Sequence, residues 1–291
     1  MSIIVKVRQT RLIKEPVPLK VVLGPDLLYG TYDENWSLVA GKRNPSDFVA
    51  YTPYQMARGI SVNWSEEETD CISFKVLLPT SPAEIKELFF AAQRVCEYWD
   101  GEIEVDGKLM EIETFAEDYT KLLLFNEQTL KEMALSIIDE ETTELTLFAI
   151  MWPLVMGKNE AEAFAFQPSY FSKWLHEKQS VEAYFSKPAF YRSENGILGR
   201  FAMSEEMRAI VPIKPYVPYG FDDPETGELI KCDDFGMLIY SAKQDNTIGE
   251  LKYDDFLAKI KKQCKKKVKN YDGNHLIIEG LTEEELEALV D

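Results

Sequence analysis

Apolar and polar positions alternate at Ile3, Val5 and Val7, and this period of two predicts a β-strand at residues 1–8. Residues 1 to about 65 read as short strands and loops. Leu19–Leu23 forms a second apolar run after Pro16 and Pro18. Residues 30–53 read as loop, with Gly41, Asn44 and Pro45 as breakers. Alternation returns at residues 60–64. An acidic turn at 65–70 then leads into an apolar strand at 71–78.

The sharpest local signal follows. Ser81-Pro82-Ala83-Glu84 is a capping box with proline at the first helical position. Ser81 is expected to accept from a free helix N–H while Glu84 reaches back to the Ser81 N–H. Ile85, Leu88, Phe89, Ala92, Val95, Cys96 and Trp99 keep i, i+3, i+4 spacing to Asp100-Gly101, which predicts a long helix. Asp106-Gly107 predicts a two-residue hairpin with Ile103, Val105, Met110 and Ile112 on one face. Strand, helix and hairpin in that order predict half of a split β-α-β unit with the helix on one sheet face.

Asn126 is expected to cap a further helix with Leu130, Met133, Ala134, Ile137 and Ile138 on its buried stripe. Residues 139–144 are acidic and breaker-like, and the apolar run 145–156 reads as one buried strand ending at its proline, Pro153. Helical signals recur at 160–166 and at Phe171, Trp174 and Leu175. Asn195-Gly196 predicts a hairpin pairing Phe190 with Phe201 and Tyr191 with Arg200. Pro212, Pro215, Pro218 and Pro224 make 211–227 an extended loop. Strands are expected at 228–232, 237–241 and 275–278. A helix carries Tyr253, Phe256, Leu257, Ile260 and Cys264, and a last one is capped by Thr282 and Glu285. Strand, helix and strand follow one another near 71–106, 145–191 and 237–278.

This mixed order predicts an α+β fold of mostly antiparallel sheets with helices packed on them, including split β-α-β, ferredoxin-like units. The boundary between two α+β lobes is placed in the acidic stretch, giving 1–142 and 143–291. At 291 residues with 45% hydrophobic positions the chain has ample material for a folded core, which excludes wholesale disorder.

Charge changes the picture of partners. Fifty Asp and Glu against 32 Lys and Arg leave a formal net charge of −18, which opposes nucleic acid and anionic membranes. Seven lysines (259, 261, 262, 265, 266, 267 and 269) crowd residues 259–269 without an acid. The remainder sums to −25, so the charge is segregated. No apolar run approaches the roughly 20 residues of a membrane helix, and the opening residues lack the apolar core of a signal peptide. With four unpaired-spacing cysteines, the expectation is a reduced, cytoplasmic setting.

Motifs for chemistry are sparse. The two histidines, His176 and His275, lie far apart without Cys or His at ligand spacing, so no metal site or cofactor is expected. His176 reads as a solvated residue near a helix end. Asp222-Asp223 and Asp233-Asp234 read as turn formers. There is no G-x-S-x-G, P-loop or dinucleotide fingerprint. If the helix from Tyr253 continues beyond Cys264, Lys261, Lys262, Lys265 and Lys266 offer an anion contact, against the plainer reading of a solvated face. Two aromatic loops carry the binding candidates: Tyr51, Tyr54 and Arg58, then Tyr216, Tyr219 and Phe221. Rings tucked onto the core are the alternative for both.

Tyr51-Thr52-Pro53-Tyr54, followed by Arg58-Gly59-Ile60 entering a strand, resembles an uncharacterised bacterial domain-of-unknown-function family of about this length. The resemblance implies a cytoplasmic bacterial protein and transfers no catalytic residue. Together these features predict a non-catalytic protein-binding module, an acidic inhibitor, immunity protein or adaptor that meets a basic protein partner. The alternative is a metal- or carboxylate-dependent hydrolase with residues drawn from distant segments.

Overall fold

The alternation at the start of the chain becomes strand β1 (Ser2–Arg8), which buries Ile3, Val5 and Val7 on one face. The computed structural model describes residues 1–33, 36–194, 196–223 and 226–291. The chain divides into two compact units, Met1–Val181 and Glu182–Asp291. The acidic stretch 139–144 lies inside the first.

In the first unit, Leu19–Leu23 is not a strand but a short helix, α1. Pro18 supplies the carbonyl that accepts from the Val21 N–H, and Gly24 at φ 64 stops the turn. Residues 30–53 are not a loop. They carry β2 (Leu28–Tyr32), β3 (Leu38–Ala40) and β4 (Asp47–Tyr51), with the breakers Gly41, Asn44 and Pro45 between β3 and β4. Gly30 lies within β2 because a Cβ there would come 2.8 Å from Leu38 and 2.9 Å from the Val39 carbonyl. Next come β5 (Ile60–Asn63), β6 (Cys71–Leu77), helix α2 (Pro82–Trp99), β7 (Glu102–Val105) and β8 (Lys108–Met110).

These eight strands form one sheet in the order β3-β2-β4-β5-β6-β1-β7-β8, antiparallel throughout. Since β1 lies between β6 and β7, the segment β6-α2-β7 is the split β-α-β unit of which the sequence predicts half. Ile85, Leu88, Ala92, Val95 and Trp99 of α2 pack with Val5, Phe74, Val76 and Ile103 in a single core. Ile103 faces Met110 in the hairpin, whereas Ile112 opens the next helix rather than extending the strand.

That helix, α3 (Ile112–Ile138), runs through Asn126, which is buried in mid-helix instead of capping it. The apolar run 145–156 is two strands, β9 (Leu145–Leu147) and β10 (Leu154–Met156), which pair antiparallel around the turn containing Pro153. Helices α4 (Lys158–Phe166) and α5 (Tyr170–Gln179) close the unit.

The second unit contains β11 (Tyr184–Phe185), β12 (Ala189–Ser193), β13 (Gly196–Ser204), β14 (Ala209–Pro212), β15 (Asp234–Ser241) and β16 (Asn246–Lys252). After them come α6 (Tyr253–Gln263), a 3-10 turn (Lys265–Lys267), β17 (Val268–Asn270), β18 (His275–Ile278) and α7 (Glu283–Val290). Two four-stranded sheets result, β11-β14-β18-β17 and β12-β13-β15-β16. The β11–β14 and β13–β15 pairs are parallel and the others antiparallel. The strands near 237 and 278 thus belong to different sheets, and the third strand-helix-strand succession builds no single β-α-β unit.

The predicted hairpin register is off by two. Phe190 faces Gly199 and Tyr191 faces Leu198, because Ser193 pairs with Gly196. Asn195 itself lies outside the described residues. No strand forms at 228–232, where the pairing is a single bridge between Asp222 and Leu229. The antiparallel partner of β15 is β16 instead. The proline-rich stretch contains no helix among its described residues, and Pro224 lies outside them. Tyr253, Phe256, Leu257, Ile260 and Cys264 are buried as their spacing predicts, with Leu286 and Leu289 of α7 in the same core.

Candidate functional site

Tyr51 ends β4, and Tyr54 and Arg58 lie in the tightly tied loop that joins it to β5. Tyr51 is buried and Tyr54 is 82% exposed. The Arg58 guanidinium donates to the carbonyls of Leu78 (3.0 Å), Pro79 (3.3 Å) and Phe148 (2.8 Å). Burial lowers its pKa to about 10 despite the nearby charge of Glu84. His176 is not solvated as the sequence reading has it. It is half-buried, and its Nδ1 accepts from the Met56 N–H at 3.1 Å.

The knot of this loop is Glu84. Ser81 caps α2 by accepting from the Glu84 N–H, as its sequence predicts. The Glu84 carboxylate turns elsewhere, accepting from the N–H groups of Gly59 (2.6 Å) and Arg58 (3.2 Å) and from the Thr80 hydroxyl. Burial pushes its pKa up, against the pull of those donors and of Arg58. Gly59 is at φ +83, and a Cβ there would meet Val49 at 2.6 Å. Asn126 completes the polar core by clamping Thr80, accepting from its N–H (2.8 Å) and donating to its carbonyl (3.0 Å).

In the second unit, the other aromatic loop is anchored by a buried histidine. The His275 Nδ1 lies 2.8 Å from Asp272 Oδ1, which also accepts the N–H groups of Asn274 and His275. With Nδ1–H committed to that carboxylate, Nε2 faces the Tyr216 hydroxyl at 3.3 Å. Phe221 packs edge-on to Phe190, and Tyr219 is 78% exposed. Tyr216 is therefore tied to a polar network, while Tyr219 presents its ring to solvent.

The lysine run is broken up. Helix α6 ends at Gln263, so Lys261 and Lys262 lie on its last turn and Lys265 and Lys266 in the 3-10 turn; all four are exposed. Three others are engaged: Lys259 donates to the Leu289 carbonyl, Lys267 pairs with Glu285 at 2.6 Å, and Lys269 reaches Glu279 at 3.5 Å.

A feature not drawn from the sequence lies on the eight-stranded sheet. Alternation sends the apolar side chains toward α2, and cross-strand register then lines up the opposite face. Asp47 faces Asn63, which faces Ser73, which faces Lys6, which faces Glu104. A second row runs Gly30, Val49, Ser61, Lys75 and Ile4. A groove of about 580 Å³ opens on this polar face. Its floor includes Ser61, Asn63, Ser73 and Lys75, and its wall Tyr32, Asp33, Trp36, Asn44 and Asp47. The Tyr32 hydroxyl donates to the Ile150 carbonyl at 3.1 Å, and burial raises its pKa to about 12, which fixes it as a neutral brace. The polar alternation of β5 and β6 is legible in sequence. The wall is not, because β2 to β4 read as loop. Among the described residues no three His, Cys, Asp or Glu side chains converge as metal ligands, and no helix is long and apolar enough to cross a membrane.

The family model described as Domain of unknown function (DUF4299) matches residues 2–289. No curated protein and no solved structure matches the chain.

Proposed function

The chain belongs to this uncharacterised family, and we propose that it is a non-catalytic protein-binding module of the acidic inhibitor, immunity or adaptor type. Its setting is the bacterial cytoplasm and its partner a basic protein. The observation that carries this reading is the groove on the open sheet face of the first unit. That unit has 29 Asp and Glu against 17 Lys and Arg, so its field draws in a basic surface before contact is made. A hydrolase needs a carboxylate that is both shifted and reachable. Among the described residues burial shifts two carboxylates upward, Glu84 and Glu87; the Glu84 oxygens are taken up by Gly59, Arg58 and Thr80, and Glu87 has the charge of Arg94 beside it.

The test is capture of partners on the immobilised chain, with each recovered protein scored for charge. Recovered partners are expected to be basic and to be lost as salt rises from about 0.05 to about 0.5 M, because the screening length shortens from over 10 Å to a few ångströms. Recovery with no basic bias and no salt dependence would sink the reading.

A further inference from the structure

Trp36 is 52% exposed, whereas Trp64, Trp99, Trp152 and Trp174 are each 7% exposed or less. It stands between β2 and β3 at φ 56, a conformation that bulky residues rarely adopt. Its N–H donates to the Asp33 carbonyl at 3.0 Å, and the Ser37 N–H donates to Asp33 Oδ1 at 2.8 Å. The Tyr32 ring lies 6.4 Å away, so the indole is backed by a braced aromatic.

We infer that the groove is the acceptor for an arginine side chain presented on an extended, basic segment of the partner, its guanidinium stacked on Trp36 beside Asp33 and Asp47. This rests on the protein-binding reading and assigns the residues that would carry it. Size comes first. A groove of about 580 Å³ is the size of a small-ligand site. A whole protein interface covers roughly 800 Å² on each partner, so the groove takes a protruding segment at the centre of a wider contact. Charge and polarity come next. Among the described lining residues two carboxylates stand against one cation, Lys75, which opposes an anionic insert. The lining is mixed: Trp36, Phe48 and Val49 suit an apolar side-chain stem, whereas Ser61, Asn63 and Ser73 suit the amide groups of an extended backbone. Arginine fits better than lysine, because its planar guanidinium stacks on an indole and forks onto a carboxylate. The chain already uses this pairing: the Arg43 guanidinium sits 4.8 Å from the Trp64 ring centre while also pairing with Glu66.

Exposure of a single tryptophan supplies the readout. In the intact chain, acrylamide quenching reports mainly on Trp36, and titration with hexa-arginine is expected to protect it saturably. Hexa-lysine should protect it less. Asp47→Asn is expected to weaken the arginine peptide about three- to tenfold, and Lys75→Glu to strengthen it by a similar factor. Opposite shifts from two variants with unchanged urea midpoints cannot come from misfolding. Quenching that hexa-arginine leaves unchanged overturns the inference, as does equal affinity in both variants. Protection by a neutral maltohexaose but not by the peptide would overturn it in favour of a sugar. If basic partners are still captured at full strength by Asp47→Asn and Trp36→Phe, the groove assignment fails while the module stands. If the peptide protects Trp36 but no basic partner is recovered, the groove assignment stands and the partner reading fails.

Discussion

Glu84 occupies the third helical position of α2, yet its carboxylate serves the backbone of Arg58 and Gly59. Glu84→Ala leaves two backbone donors and the Thr80 hydroxyl short of an acceptor and the buried Arg58 guanidinium short of its nearby negative charge. The expected cost is about 3–5 kcal/mol, measured by urea denaturation, and a loss below about 1 kcal/mol would refute this account of the loop. The pH dependence has a definite sign. Burial holds the Glu84 pKa above the ordinary carboxyl value, so in the interval between the two the folded chain keeps a proton that the unfolded chain has released. The stability attributable to Glu84 is therefore greatest at low pH and declines as pH rises through that interval. The margin of wild type over Glu84→Gln should narrow as pH rises, and a widening margin would reverse the assignment. Arg58 and Gly59 stand out in sequence, but their partner does not, because a capping box already gives Glu84 a local role.

Helices with complete local signals are the elements best read from sequence. Thr282 accepts from the Glu285 N–H and the Glu285 carboxylate accepts from the Thr282 N–H, so the predicted capping box is fully formed at α7. Thr282→Ala should cost about 1 kcal/mol, because α7 has only eight residues with which to hold Leu286 and Leu289 in the core. Denaturation followed through the second unit checks it, and an unchanged midpoint would mean that packing alone sets the helix. The strands β2 to β4 escape sequence reading because the breakers Gly41, Asn44 and Pro45 crowd the turn between β3 and β4 and the apolar runs are only two to four residues long. The start of α3 escapes too, since Asn126 resembles a cap and gives no sign of its tie to Thr80. The two-residue error in the β12–β13 register has a plain cause: an Asn-Gly pair marks a turn without fixing which residues face each other across it.

The formal charge of −18 is an uneven field rather than one number. Lys261, Lys262, Lys265 and Lys266 remain exposed after three neighbouring lysines are drawn to Leu289, Glu285 and Glu279. Replacing those four by Glu should abolish any low-salt retention on heparin, and unchanged retention would remove the anion contact from consideration. The eight-stranded sheet carries a different consequence. Its outermost strands, β3 and β8, have three residues each, while β1 and β6 near its middle have seven. A rim that tapers in this way offers few free amide and carbonyl groups as a template for another strand. Lateral growth from one molecule to the next is thereby discouraged at both borders, and the broad surface between them is left as the way in.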